Sequence, residues 1–194
     1  MMSLRRGQSL TELMVAMSVI IVGLAAAGTV ILSNVRLQER SADQVAAANL
    51  AREGVELAKA IRDSNWIAGG STLFNEGLSD GTDYTGVPLW SGGSLLSFDF
   101  APADMNDAET VIKRSTDAAT PNVFVQGTGA VGTDTVFHRL VTLLPICSDE
   151  SIATEGTDCG SLDTVGVQVQ STVTWVKREG TKSTTVEDNL YDWR

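Results

Sequence analysis

From Leu13 to Leu32 the chain runs twenty residues without a charge. At about 1.5 Å per residue, a helix of that length measures roughly 30 Å, the thickness of a bilayer's hydrocarbon core. Arg5 and Arg6 precede the run. The positive-inside tendency holds such a pair in the cytoplasm, so everything after Leu32 is expected on the far side. The sequence contains one run of this kind, which predicts a single-pass or cleaved topology.

The flank of the run separates three readings. In a secretory signal the basic residues lead directly into a shorter apolar stretch and then a small-residue cleavage site. Here the polar block Gly7-Gln8-Ser9-Leu10-Thr11-Glu12 intervenes. A signal cut near Ala25-Ala26-Ala27, leading to a secreted enzyme, is one alternative. A plain single-pass anchor, carrying a surface binding protein that does not polymerise, is another. Glu12 distinguishes the third. A charge at the centre of a membrane helix costs about 2.5–3.5 kcal/mol, and less near an end. Either Glu12 rests in the headgroup layer, or it has a partner. If the chain is cut after Gly7, Gln8 gains an α-amino cation. Glu12 then lies one helical turn along, on the same face. A helix N-terminus favours a negative group, and a buried amine–carboxylate pair escapes salt screening better than a surface pair.

The stretch Arg5-Arg6-Gly7 followed by Gln8-Ser-Leu-Thr-Glu12-Leu-Met-Val-Ala resembles the prepilin cleavage motif of type IV pilins and pseudopilins. The resemblance implies that a prepilin peptidase cuts between Gly7 and Gln8 and methylates the new N-terminus at Gln8. It also implies that Glu12, at the fifth mature position, sets register by pairing with the N-terminus of a neighbouring subunit. Phenylalanine is the family's usual first mature residue. The glutamine here can instead cyclise and lose the amine that the ion pair needs. In pilin filaments this part of the helix often melts locally, so Gly23 to Gly28 is expected to unwind on assembly.

Beyond Val35 the pattern changes. Arg36, Glu39, Arg40, Asp43, Arg52, Glu53, Glu56, Lys59 and Arg62 alternate in sign, while Leu50, Gly54, Leu57, Ala58 and Ile61 recur at three- and four-residue spacing. That is an amphipathic helix period. With no proline between Gln8 and Arg62, one helix of about 55 residues is predicted, roughly 80 Å long. Its apolar stripe should pack on a C-terminal domain. Asp63-Ser64-Asn65 is expected to end it, with Trp66 as a core anchor at the exit. The segment from Ala51 to Trp66 is similar to the end of the long helix in PilV-like minor pilins and pseudopilins, as is the ending Leu190-Tyr-Asp-Trp193.

The middle, Gly69 to Asp134, is rich in Gly, Ser, Thr and Asp, with short apolar pieces at Val87–Trp90, Leu95–Phe100 and Val123–Val125, a composition that predicts turns, short strands and surface loops. From Asp63 to Asp163 the 15 acids outnumber three bases, Lys113, Arg114 and Arg139, which reads as a solvated acidic face. Asp104-Met-Asn106-Asp107-Ala-Glu109 offers oxygen ligands but not the spacing of a calcium loop. Further on, Val136 to Leu144 reads as a strand stopped by Pro145. Val165, Val167, Val169, Val173 and Trp175 share one face of another, expected to pack on Leu50, Leu57 and Ile61. A hairpin turn follows at Arg178–Lys182, and Ser183 to about Leu190 returns. If this domain is exported, Cys147 and Cys159 face an oxidising space and pair as a disulfide; C-terminal disulfide loops are common in the resembled family.

The formal net charge of −10 disfavours nucleic acid as a partner, and two cysteines with one histidine leave little for a zinc site. His138 has no nucleophile motif near it, so no catalysis, metal or cofactor is expected. The expected fold is α+β: a long N-terminal helix on a C-terminal antiparallel sheet. Residues 1–7 form the leader, 8–34 the apolar half of the helix, 35–66 its amphipathic half, and 67–194 a globular domain. The expected function is that of a structural subunit, pilin, minor pilin or pseudopilin. Its expected partners are other such subunits, the peptidase, an inner-membrane assembly platform and, before assembly, the lipid bilayer. The precursor belongs in the cytoplasmic membrane and the assembled protein outside the cell.

Overall fold

The computed structural model describes residues 10–69, 73–78, 84–91, 95–118, 121–177 and 180–192. One helix, α1 (Leu10–Ala68), precedes seven strands: β1 (Thr85–Ser91), β2 (Leu95–Asp99), β3 (Val111–Ser115), β4 (Phe124–Val125), β5 (Gly132–Cys147), β6 (Thr164–Lys177) and β7 (Gly180–Tyr191). Every strand pairing is antiparallel. The protein is therefore α+β, a long N-terminal helix with a C-terminal antiparallel sheet. Packing divides it after Asp43 into an N-terminal unit, which is helical where described, and a unit from Gln44 to Arg194 that holds the sheet.

In the second unit β5 and β6 form the spine. They pair from Phe137↔Trp175 to Cys147↔Thr164, and β7 continues the sheet beyond β6 from Lys177↔Gly180 to Gly166↔Tyr191. The other side of β5 is shared, β3 lying along its first half and β1 along its second. Alternation along β6 puts Val167, Val169, Ser171, Val173 and Trp175 on the buried face, against the stripe Ala47, Leu50, Ala51, Gly54, Val55, Ala58 and Ile61 of α1. One apolar cluster gathers Leu50 with Ile112, Val173 and Trp175; a second gathers Val55, Ala58 and Ile61 with Val141, Leu143, Val167, Val169 and Leu190. Leu57, expected in this stripe, is half-buried at its flank, and Val55 takes the core position.

Several local expectations are corrected. α1 does not stop at Asp63-Ser64-Asn65 but continues to Ala68. Ser64 satisfies its hydroxyl on the Ala60 carbonyl at 2.7 Å, and Arg62 donates to the Asp63 carboxylate at 3.0 Å. The helix instead ends where Gly69 takes φ +64° and its N–H bonds the Asn65 carbonyl at 3.2 Å, a left-handed cap that glycine adopts without Cβ strain. Asn65 makes the turn by reaching across it, its amide donating to the carbonyls of Phe74 and Glu76 at 3.0 and 2.8 Å. Trp66 sits inside the last turns, partly buried against the core, with the Arg62 guanidinium 4.5 Å over its ring.

Pro145 does not stop β5; it sits opposite Val167 within the strand. The Leu143 N–H points to the Tyr84 carbonyl, so the missing N–H two residues on faces that same side, beyond the last β1 pair. In the middle, the three short apolar pieces fall in β1, β2 and β4, and a further strand, β3, buries Ile112 between Val111 and the basic Lys113-Arg114. β7 begins at Gly180, three residues earlier than expected; Arg178 and Glu179 of the expected turn lie outside the described residues.

Candidate functional site

The apolar run forms a helix with no inside. Ile20, Ile21 and Val22 lie on different sides of it, yet are 59%, 66% and 69% exposed. A helix near the N-terminus, long and apolar enough to cross a membrane, thus carries side chains that no described residue covers. Its polar groups are turned inward. Ser18 donates to the Met14 carbonyl at 2.8 Å and Thr29 to the Ala26 carbonyl at 2.7 Å. Both hydroxyls are satisfied without water, which an environment of hydrocarbon requires. Gly23 and Gly28 have open space where a Cβ would stand, and α1 is unbroken through both in the single chain.

Glu12 lies in the first turn, exposed, and no described residue pairs with it. Arg36, Glu39 and Arg40, also exposed, mark the other end of the apolar stretch. Gly7 and Gln8, the expected cleavage and methylation site, lie outside the described residues with Arg5 and Arg6.

The remaining sequence candidates fall in the second unit. Cys147 and Cys159 form a disulfide with Cα atoms 5.4 Å apart. It closes a loop folded back on the end of β5, with Ala153 N–H on the Pro145 carbonyl and Ser148 N–H on that of Asp163, each at 2.9 Å. Asp104 and Asp107 spend their carboxylates on their own loop: Asp107 accepts the N–H groups of Ala103 and Asp104, and Asp104 that of Asn106. Among the described residues no group of carboxylates, histidines or cysteines is arranged to hold a metal. His138 is half-buried, its Nδ1 3.0 Å from the Thr110 hydroxyl.

Arg139 corrects the reading of the acidic stretch. It is 3% exposed and belongs to the core. Its Nε donates to Gln126 Oε1 at 2.9 Å, its Nη1 to the Leu50 carbonyl of α1 at 3.0 Å, and the same Nη1 lies 3.4 Å from Glu53. Gln126, itself buried, donates to the carbonyls of Thr110 and Arg139. Burial pulls the guanidinium's pKa down, and the Glu53 carboxylate pulls it back up. Neither residue was singled out from the sequence for a role. The signal was there: once Val141 and Leu143 fix which face of β5 is buried, Arg139 falls on that face.

No protein-family model, curated protein or solved structure matches the chain. The established description is thus architectural: an uncovered apolar N-terminal helix of membrane-spanning length, its distal part packed on an antiparallel sheet that carries one disulfide.

Proposed function

We propose that this chain is a structural subunit of a type IV pilus-like filament. The observation that carries the reading is the exposed apolar helix whose carboxylate Glu12, one turn from a basic-Gly-Gln flank, no described residue pairs with. Such a rod is stable in lipid and equally in a bundle of identical rods, since either covers its side chains. The carboxylate favours the bundle wherever a cation can meet it away from water. Cleavage after Gly7 supplies that cation as the Gln8 amine. On this reading the segment is first a membrane anchor and then filament core, while the sheet unit faces outward. The chain acts as the peptidase's substrate and needs no catalysis of its own.

Two substitutions test it. Gly7→Val should leave the precursor at full translated mass and abolish filaments. Glu12→Ala should leave processing and membrane insertion intact and deplete the protein from sheared surface filaments. If the wild-type chain and both variants all keep the full translated mass and sheared filaments lack the protein, the chain is a plain anchored protein instead. Mass spectrometry of the mature N-terminus should find an intact, methylated Gln8; pyroglutamate there would remove the ion pair from the mechanism.

A further inference from the structure

The sheet unit has two ends of different character. Phe137 and Trp175 mark one, where Ala47 of α1 joins the core; Leu190 and the Cys147 end of β5 mark the other, on the side of Ile61. Exposed apolar side chains gather at both: Val131, Val136 and Val176 at the first, Ile152, Leu162 and Tyr191 at the second. Between those levels the described residues of β5, β6 and β7 expose no large apolar side chain. The outer face there is polar and bonded within itself, Gln170 donating to Gln168 at 2.8 Å and Thr172 bonding Thr185 at 2.9 Å. Charge divides in the same way. Lys113, Arg114, Lys177 and Lys182 stand at the first end against Asp117 and Asp134. Asp149, Glu150, Glu155, Asp158, Asp163 and Asp192 are exposed at the second, with no exposed base among the described residues there.

Roughly 33 Å of strand separates Phe137 from Cys147, several times the ~8 Å over which salt screens charge. The two ends of one chain therefore do not neutralise each other. Each is a set of apolar side chains rimmed by charge, which is how a protein interface is built. We propose that the basic end of one sheet unit docks on the acidic, disulfide-loop end of a second copy of this chain. Burial of the apolar side chains supplies attraction, and the charges choose which end meets which. Like ends brought together would oppose base to base or acid to acid, which disfavours a closed two-fold pair. Unlike ends attract, and because they differ, every contact leaves one of each kind open for the next copy. The inference rests on the reading of the chain as a filament subunit. It names the contact that the sheet units add to the packing of apolar helices.

The test uses the full chain on intact cells, with Thr181→Cys at the basic end and Ser161→Cys at the acidic end, both exposed positions. After oxidation and separation without reductant, the chain with both cysteines should form a ladder of dimers, trimers and larger species, and the chain with either one alone should stay monomeric. Arg114→Glu with Lys177→Glu and Lys182→Glu should weaken the ladder about tenfold. Adding Glu150→Lys, Glu155→Lys and Asp163→Lys exchanges the signs of the two ends and should restore it, which a variant that had lost its fold could not do. A missing ladder, one that survives the reversal, or one that the exchange does not restore overturns the contact. Sheared filaments that still contain the unaltered protein would then leave the filament reading standing; filaments without it would sink both.

Discussion

Ser171 interrupts a file of valines on the buried face of β6, and its hydroxyl has no partner among the described residues. The cause is Gly54: the helix backbone approaches so closely that a valine at 171 would not fit. Ser171→Ala keeps the small volume and removes a buried hydroxyl whose desolvation costs about 1–3 kcal/mol. The variant should therefore be more stable, by about 1 kcal/mol in chemical denaturation; an unchanged or lower midpoint would show that the hydroxyl is satisfied. The sequence held a trace of this contact. The period of two in Val167, Val169, Val173 and Trp175 exposed the face, and the gap at Ser171 marked where something came near. The gap did not say what came near, because two-residue periodicity describes a strand and carries no information about the element packed on it.

Among elements, α1 and β7 are joined at the surface by Lys59, whose ammonium lies 2.8 Å from Asp188 and 3.1 Å from Glu56. The hydrogen bond from Lys59 holds the Asp188 carboxyl below the ordinary aspartate range, while the bonds to Asp188 and Glu56 raise Lys59. For Asp188, whose folded value is depressed, the stabilisation is present above the unfolded value and is lost as pH falls through the folded one. For Lys59, whose folded value is raised, it is present below the unfolded value and is lost as pH rises through the folded one. Asp188→Asn should therefore remove part of the fall in stability below about pH 4. The two side chains are 30% and 41% exposed, so screening limits the effect to about 1 kcal/mol or less. An identical acid limb in wild type and variant, followed by circular dichroism in denaturant, would show that the pair contributes nothing. The elements themselves were legible to different degrees. The helix and β6 follow from their periods, β5 from its content of β formers, and β7 from the hairpin turn before it. The end of α1 was missed because Asp63, Ser64 and Asn65 are helix stoppers only when their side chains compete for the backbone nearby. Here those side chains bond within the helix or across to the loop after it. β3 was missed because five residues with Lys113-Arg114 among them show too little pattern to distinguish a strand from a turn.

Across the whole molecule, the division after Asp43 predicts that a chain beginning at Gln44 keeps its core, since all described members of both apolar clusters lie beyond it. That fragment should stay soluble without detergent and unfold in one cooperative transition; aggregation or loss of the β signal would contradict the division. Reducing the disulfide in it should lower stability by about 3 kcal/mol, given the twelve-residue separation of the cysteines. Denaturant midpoints with and without reductant, checked against Cys147→Ala with Cys159→Ala, would measure the loss. The sequence by itself determined the uncovered apolar helix, the amphipathic stretch after it and the face of β6 that is buried. Those are properties of local composition and period, because hydrophobic burial acts on every side chain according to its own surface. Only the tertiary structure decided that Arg139 is a core residue clamped to Leu50 and Glu53, and that Gly54 rather than Leu57 marks the closest approach to the sheet. Both depend on which residues distant in sequence come together. The energy of a buried charge or a missing Cβ is fixed by those neighbours and not by the residue alone.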